Sequence, residues 1–413
     1  MLLGGGMTKR AQRAQENPDY FLILVVAGLI IAGLMMVYSA TFDWSYQVYD
    51  SSLRITLNQL RWVGLGVAAL IAFTLIPYDW WQRVAVPVMG ATLLSLLLVL
   101  LIGQKRFGAQ RSFLSGSVHP GEMAKLSMVI YIAVWLSSKG DQIRDVTYGL
   151  IPFAVLIGLV AGLIVAQPDI GTAILICVTS LAVFFFAGAD IFQLAIGGAV
   201  SALTFVFLVT KFPHASERIT DWLKVWRSPE LAGYQMQQTL IALGSGGPFG
   251  VGLGQGQQKL GYLPTPHTDA IFAVLGEEAG LLGCLVVIGL FALFAYRGFK
   301  ITMEAQEPFA ALLACGVTCW ITFQALINVG VVTGLVPFTG MALPFISSGG
   351  SSMVTSLAGV GLLLSVSRGK RLSEGTSKRR EGRRQYAGMD RRWRDRRTRV
   401  SRSRRRASAA RRR

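Results

Sequence analysis

Residues 244–278 read GSGGPFGVGLGQGQQKLGYLPTPHTDAIFAVLGEE. A glycine-rich, polar, charge-poor loop runs straight into a long apolar stretch. His267, Thr268 and Asp269, three groups able to hold or transfer protons, stand at the boundary. Ionisable groups beside a membrane span are expensive and mark functional sites. Thr268 as an N-cap, with Asp269 in the first turn, would also satisfy free backbone N–H groups and favour the helix dipole. The two readings are compatible.

The rest of the chain repeats this apolar character. Its 413 residues are 52% hydrophobic and only 15% charged, and its mean hydropathy is positive. That composition excludes an ordinary soluble protein and predicts a polytopic membrane protein. Helices are the spanning element that closes its own backbone hydrogen bonds, so the expected fold is an all-α membrane bundle. Ten spans are predicted, near 20–40, 59–77, 84–103, 121–138, 148–166, 169–188, 191–211, 269–296, 309–333 and 343–367. They divide the chain into a cytoplasmic N-terminal segment (1–19), a ten-span membrane domain (20–367) and a basic tail (368–413).

The net charge of +18 suggests nucleic acid until it is located. From Arg368 onward the chain has 21 Lys and Arg against four Asp and Glu. Tyr386 and Trp393 are the tail's only aromatics, too few to suggest base stacking. The tail reads instead as a disordered cytoplasmic segment that obeys the positive-inside rule and touches anionic lipids. Ten spans then put both termini in the cytoplasm, with loops 104–120 and 212–268 external. The first span has no cleavage motif and reads as an uncleaved helix. Cys177, Cys284, Cys315 and Cys319 all fall in apolar spans, so no external disulfide framework is expected.

Several features break the membrane pattern. Residues 212–268 form a connection of more than fifty residues, a length that marks a functional or disordered loop. Its aromatic and apolar residues (Trp222, Leu223, Trp226, Tyr234, Leu240) predict that it folds back on the bundle, though the tryptophans also fit interfacial anchors. Loop 104–120 holds Lys105, Arg106 and Arg111 without an acid, on the face where basic groups are disfavoured, which suggests an anionic partner such as phosphate. Glu122 and Lys125 open the fourth span at i, i+3 and are able to pair. Asp169 follows Pro168 at a helix start, and Glu277 and Glu278 lie deeper in the eighth span. Together these describe a polar cavity facing outward. Residues 331–352, VVTGLVPFTGMALPFISSGGSS, predict non-helical backbone at membrane depth. It is either a plain reentrant turn or a headgroup site built on Ser347, Ser348, Ser351 and Ser352.

The segments MMVYSAT, GAQR, PGEMAKL, QPDIGTA, GYQMQQTLIALGSGG, GVGLGQGQQKLGYLP, HTDAIFAVLGEE and PFTGMALPFISSGGSS resemble, in this order, the SEDS family of peptidoglycan glycosyltransferases. Within it GLGQGQQKLGYLP and the basic tail look more like the division branch than the elongation branch. The resemblance implies polymerisation of lipid II into β-1,4-linked glycan at the outer membrane face during septal synthesis. It implies Asp269 as the catalytic base that deprotonates the acceptor hydroxyl. Lys105, Arg111 or Lys259 would balance the leaving diphosphate, with a divalent cation (Mg or Mn) as a candidate helper and no dedicated metal site. Glu122, Lys125 and Asp169 would line the cavity, with His267, Ser347 and Ser351 contacting substrate. Implied partners are a class B penicillin-binding protein transpeptidase and other division proteins. Two departures stand out: Ser112 where the family has Trp after GA-x-R, and Thr265 where it has an acid before x-HTD. A lipid II flippase and a non-catalytic division scaffold are the competing readings. The crowding of polar groups toward one face favours the enzyme.

Overall fold

Apolar runs without internal breakers become helices, and the caps that the sequence supplies set several of their ends. The computed structural model describes residues 18–106, 109–112, 119–211 and 213–369. Twelve α-helices appear among these residues. They are α1 (Tyr20–Tyr49), α2 (Arg54–Leu75), α3 (Tyr78–Ile102), α4 (Pro120–Lys139), α5 (Ile151–Val165), α6 (Ile170–Phe186), α7 (Ile191–Lys211), α8 (Pro213–Arg227), α9 (Tyr234–Gly246), α10 (Ile271–Glu304), α11 (Pro308–Val332) and α12 (Gly350–Gly369). A short antiparallel hairpin, β1 (Gln104–Arg106) and β2 (Ala109–Ser112), follows α3. Asp19 caps α1 by accepting the N–H of Leu22 at 3.1 Å, while Pro120 and Pro308 sit in the first turns of α4 and α11, where a missing N–H costs nothing. Residues 19–367 form one compact unit. Apart from residues 18, 19, 368 and 369, the N-terminal segment and basic tail expected from the sequence lie outside the described residues.

Against the ten expected, eight helices among the described residues are long and apolar enough to cross a membrane, α5 being counted together with the helical turn before it (Val146–Leu150). The expected fourth and sixth spans fall short for different reasons. Helix α4 has the length but carries Glu122, Lys125 and Lys139. Helix α6 has 17 residues, about 26 Å of rise against a hydrocarbon core of roughly 30 Å.

Helices α11 and α12 are buried against their neighbours, whereas α2 and α7 turn most of their surface outward. Lipid is as apolar as leucine, so burial alone does not decide which helix is central, and close backbone approach does. Gly316 of α11 shows the approach: a Cβ there would lie 2.6 Å from Val129 Cγ1 of α4. Gly298 of α10 meets Thr318 of α11, whose Oγ1 would lie 2.3 Å from an added Cβ.

The long connection is not a bare loop. It holds α8 and α9, and α9 packs against α10. The two tryptophans separate: Trp226 stays 63% exposed, while Trp222 donates its indole N–H to the Gly334 carbonyl at 2.9 Å and so ties α8 to the segment before α12. Helix α10 is itself broken at Gly280 (φ 66°, ψ −166°). Residues 247–252 lie beside the break and bond to its freed backbone groups.

Candidate active site

The residues around Asp269 are fixed through their backbone. Helix α10 begins at Ile271 with Ala270 as its cap residue, and no side chain caps it. The expectation that Thr268 caps this helix with Asp269 in its first turn is therefore not met. The reason lies in competing partners. The Thr268 hydroxyl donates to the Thr265 carbonyl at 3.3 Å, and the carbonyls of the three boundary residues are bound from elsewhere, two by residues 347–348 of a second segment and one by α11. Ser348 N–H donates to His267 O at 2.8 Å, Ser347 Oγ donates to Thr268 O at 2.6 Å, and Asn328 Nδ2 donates to Asp269 O at 3.0 Å.

That second segment, residues 333–349, is non-helical as expected and is braced from α11. Asn328 also donates to Met341 O at 2.7 Å, and Gln324 Nε2 donates to Ala342 O at 2.8 Å. The segment brings Gly340 (φ 71°) against the carboxylate, where an added Cβ would lie 3.4 Å from Asp269 Oδ2. Asp269 itself is partly exposed.

Glu122 and Lys125 pair at 2.7 Å, as their spacing predicts, with the lysine side chain 3% exposed. Lys125 also donates to Gln324 Oε1 at 2.8 Å, and Trp320 Nε1 donates to the same oxygen at 3.0 Å. The pair thus belongs to the bracing that holds residues 341–342. Asp169 caps α6 through Thr172 N–H at 3.1 Å, and its Oδ2 would lie 3.6 Å from a Cβ on Gly121. Gly171 in turn abuts Thr339 O and Met341 Cγ. The starts of α4 and α6, the turn at 339–341 and Asp269 therefore converge on one region.

Other expected site residues are placed differently. Ser347 is buried with its hydroxyl engaged twice, donating to Thr268 and accepting Leu343 N–H at 2.7 Å. Ser351 accepts His119 N–H at 3.3 Å. Both hydroxyls fasten backbone instead of standing open to a headgroup. Lys259, expected at the diphosphate, has a side chain only 4% exposed and pairs with Glu278 at 2.6 Å. Its two remaining donors go to Ser39 Oγ and Gly254 O. Lys105 falls on β1 and Arg111 on β2, and β2 packs against α3 and α4. Residues 107, 108 and 113–118 of that loop lie outside the described residues.

His267 stacks on Trp44 of α1, with ring centroids 5.1 Å apart and planes 22° apart. Burial pushes its imidazole down to about 4, so the ring is neutral near pH 7. Among the described residues no three His, Cys, Asp or Glu side chains come together as a metal set.

Sequence reading missed Gln324, Asn328 and Trp44. The first two had a visible signal, since amides at i, i+4 interrupt an otherwise apolar span in CWITFQALINVG. Trp44 had none, because its role depends on α1 continuing past the apolar run.

The family of cell cycle proteins comprising FtsW, RodA and SpoVE matches residues 20–372. The chain belongs to this family. It is 38% identical over 358 residues to stage V sporulation protein E of Bacillus subtilis, covering 86% of this chain and 98% of that protein. It is 37% identical over 364 residues to a probable peptidoglycan glycosyltransferase FtsW of Trichlorobacter lovleyi, covering 87% and 96%. Among solved structures it resembles a chain from a peptidoglycan synthase complex that coordinates polymerization and crosslinking, with TM-score 0.71, 29% identity, and 85% and 98% coverage. The rod shape determining protein RodA of Thermus thermophilus gives TM-score 0.64 at 28% identity, covering 85% and 97%. The match runs through every element that builds the Asp269 region. With eight helices among the described residues long and apolar enough to cross a membrane, the protein is a multi-pass membrane protein.

Proposed function

We propose that this chain is a peptidoglycan glycosyltransferase that polymerises lipid II into β-1,4-linked glycan at the outer face of the cytoplasmic membrane, in the service of septal wall synthesis. The observation that carries the proposal is the setting of Asp269: a partly exposed carboxylate whose backbone is pinned to Asn328. Preorganisation of this kind is what a general base requires, since a small misplacement of the reacting groups is costly. Asp269 takes the proton of the acceptor sugar hydroxyl as its oxygen bonds to the donor's anomeric carbon. The bond from that carbon to the diphosphate breaks, and undecaprenyl diphosphate leaves.

Neutral His267 adds no charge for the leaving group and is suited to orienting the acceptor. The cations assigned to the diphosphate are Lys105 and Arg111 on the hairpin, with Glu122, Lys125 and Asp169 shaping the polar wall. With α4 and α6 taken to cross inside the bundle, shielded from lipid by the other helices, both termini and the loops at 139–147 and 297–308 are assigned to the cytoplasm, and 104–120 and 212–268 to the outside. The basic tail engages anionic lipids or division proteins by charge. The names of the relatives support the reaction, and the likeness to the synthase complex supports a class B penicillin-binding protein as partner.

The test is reconstitution of the full chain with its transpeptidase on purified lipid II. A ladder of glycan products supports the enzyme. Translocation of labelled lipid II across proteoliposomes without any polymer would establish the flippase instead.

A further inference from the structure

We infer that Lys259, Glu278 and Ser39 are a lock that positions Asp269 through the first part of α10, and are not substrate ligands. This rests on Asp269 being the base. The break at Gly280 leaves residues 271–279 as a segment of little more than two turns, too short to be helical without support. Support comes from residues 247–252, which bond to the backbone groups that the break frees. Val251 and Gly252 donate to the carbonyls of Glu277 and Glu278 at 3.0 Å each, while Leu281 and Leu282 donate to Gly247 and Pro248 at 2.9 and 3.2 Å. Only glycine allows this approach. A Cβ on Gly280 would lie 2.3 Å from Gly250 N, and one on Gly250 would lie 2.1 Å from Glu278 O, with φ positive at both.

The side chains of the short segment then grip the following stretch of the same connection. Glu277 accepts the N–H groups of Gln257 and Gln258 at 2.7 and 3.2 Å. Glu278 accepts Gly254 N–H at 3.0 Å, Ser39 Oγ–H at 2.6 Å and Lys259 Nζ at 2.6 Å. The Glu278 carboxylate is fully buried, so it depends on this pairing. The chain leaves the lock at Lys259, turns through His267 and Asp269, and returns to the lock at Glu278. Ser39 fastens the whole to α1. Asp269 therefore lies on a hairpin-like excursion closed at its base by the Lys259–Glu278 ion pair and the hydrogen bonds that flank it.

Without Lys259 the base opens, and Asp269 loses its fixed place relative to Gly340 without losing any contact to lipid. Turnover in Lys259→Met should fall about thirtyfold or more, on the scale that misplacement costs, while lipid II binding stays within about twofold. Hydrogen–deuterium exchange on the full-length protein gives an independent reading. Amides of 254–278 should exchange faster in Lys259→Met, with those of 283–304 unchanged. Adding Glu278→Gln removes the stranded charge and should recover part of both the protection and the turnover, and it carries the test if the single variant does not fold. A Lys259→Met protein with wild-type exchange, weakened lipid II binding and no recovery in the double variant would make Lys259 a substrate ligand and overturn the lock. If the exchange pattern holds but Asp269→Asn remains active, the lock stands and the assignment of the base fails.

Discussion

Ser347 joins the two segments that meet at the site. Its hydroxyl donates to the Thr268 carbonyl at 2.6 Å and accepts the N–H of Leu343 at 2.7 Å. Ser347→Ala strands a buried donor and a partly buried acceptor, and should cost about 1–3 kcal/mol. Thermal melting of the purified protein checks it: a clear fall in Tm with lipid II binding kept is expected. Unchanged Tm with weakened binding would return Ser347 to the role of a headgroup ligand.

Gly340 and Gly334 allow strain to be separated from position. Both have positive φ, 71° and 76°, so alanine at either should cost a similar 1–2 kcal/mol or so in backbone strain. Only at Gly340 does the new methyl meet Asp269. Gly340→Ala should lower turnover about tenfold or more below Gly334→Ala at matched stability. Equal turnover in the two variants would show that Gly340 has no special relation to the carboxylate.

Lys125 holds both Glu122 and Gln324. Lys125→Met leaves a largely buried carboxylate and an amide oxygen without their cation, and should destabilise by about 3 kcal/mol, the low end for a broken buried pair. Adding Glu122→Gln should recover part of that. A double-mutant cycle in denaturation midpoint reads the coupling, and additive losses would mean the pair does not act as one.

His267 sets a pH dependence of known sign. Its folded-state value, about 4, lies below the ordinary 6.5. Between these values the unfolded chain binds more protons than the folded one, so this group makes stability rise with pH. Its contribution is fully present above about 6.5 and is lost as pH falls toward 4. Tm measured from pH 4 to 7 should slope less in His267→Gln than in wild type. Equal slopes would place the proton elsewhere.

Much of this architecture is written in local patterns. Apolar length predicts nearly every helix position, and i, i+3 spacing predicts the Glu122–Lys125 pair. The helix start at Asp169 and the irregular backbone before α12 are also visible in the sequence, although Asp169 caps its helix and does not lie in the first turn. What the sequence does not show are choices between equally good local partners. Thr268 is a plausible cap, yet its carbonyl and that of His267 are claimed by Ser347 and Ser348, and that of Asp269 by Asn328 of α11, which moves the helix start. Lys259, which the family resemblance implies as a diphosphate ligand, is held by Glu278 and Ser39, residues far from it in sequence. The break at Gly280 has no proline or other local breaker to mark it, because its cause is the approach of Gly250, not any residue near it in sequence.

Asp269→Asn keeps the shape of the side chain and removes its basicity. With pinned backbone and unchanged volume, stability should shift by no more than about 1 kcal/mol, and lipid II binding should persist. The decisive measurement is single-turnover polymerisation of purified lipid II by this variant with its transpeptidase. The account predicts a loss of roughly a hundredfold or more, the scale of a missing general base. Near wild-type turnover in Asp269→Asn, alongside dead Glu122 or Asp169 variants, would contradict it and move the base to one of those carboxylates.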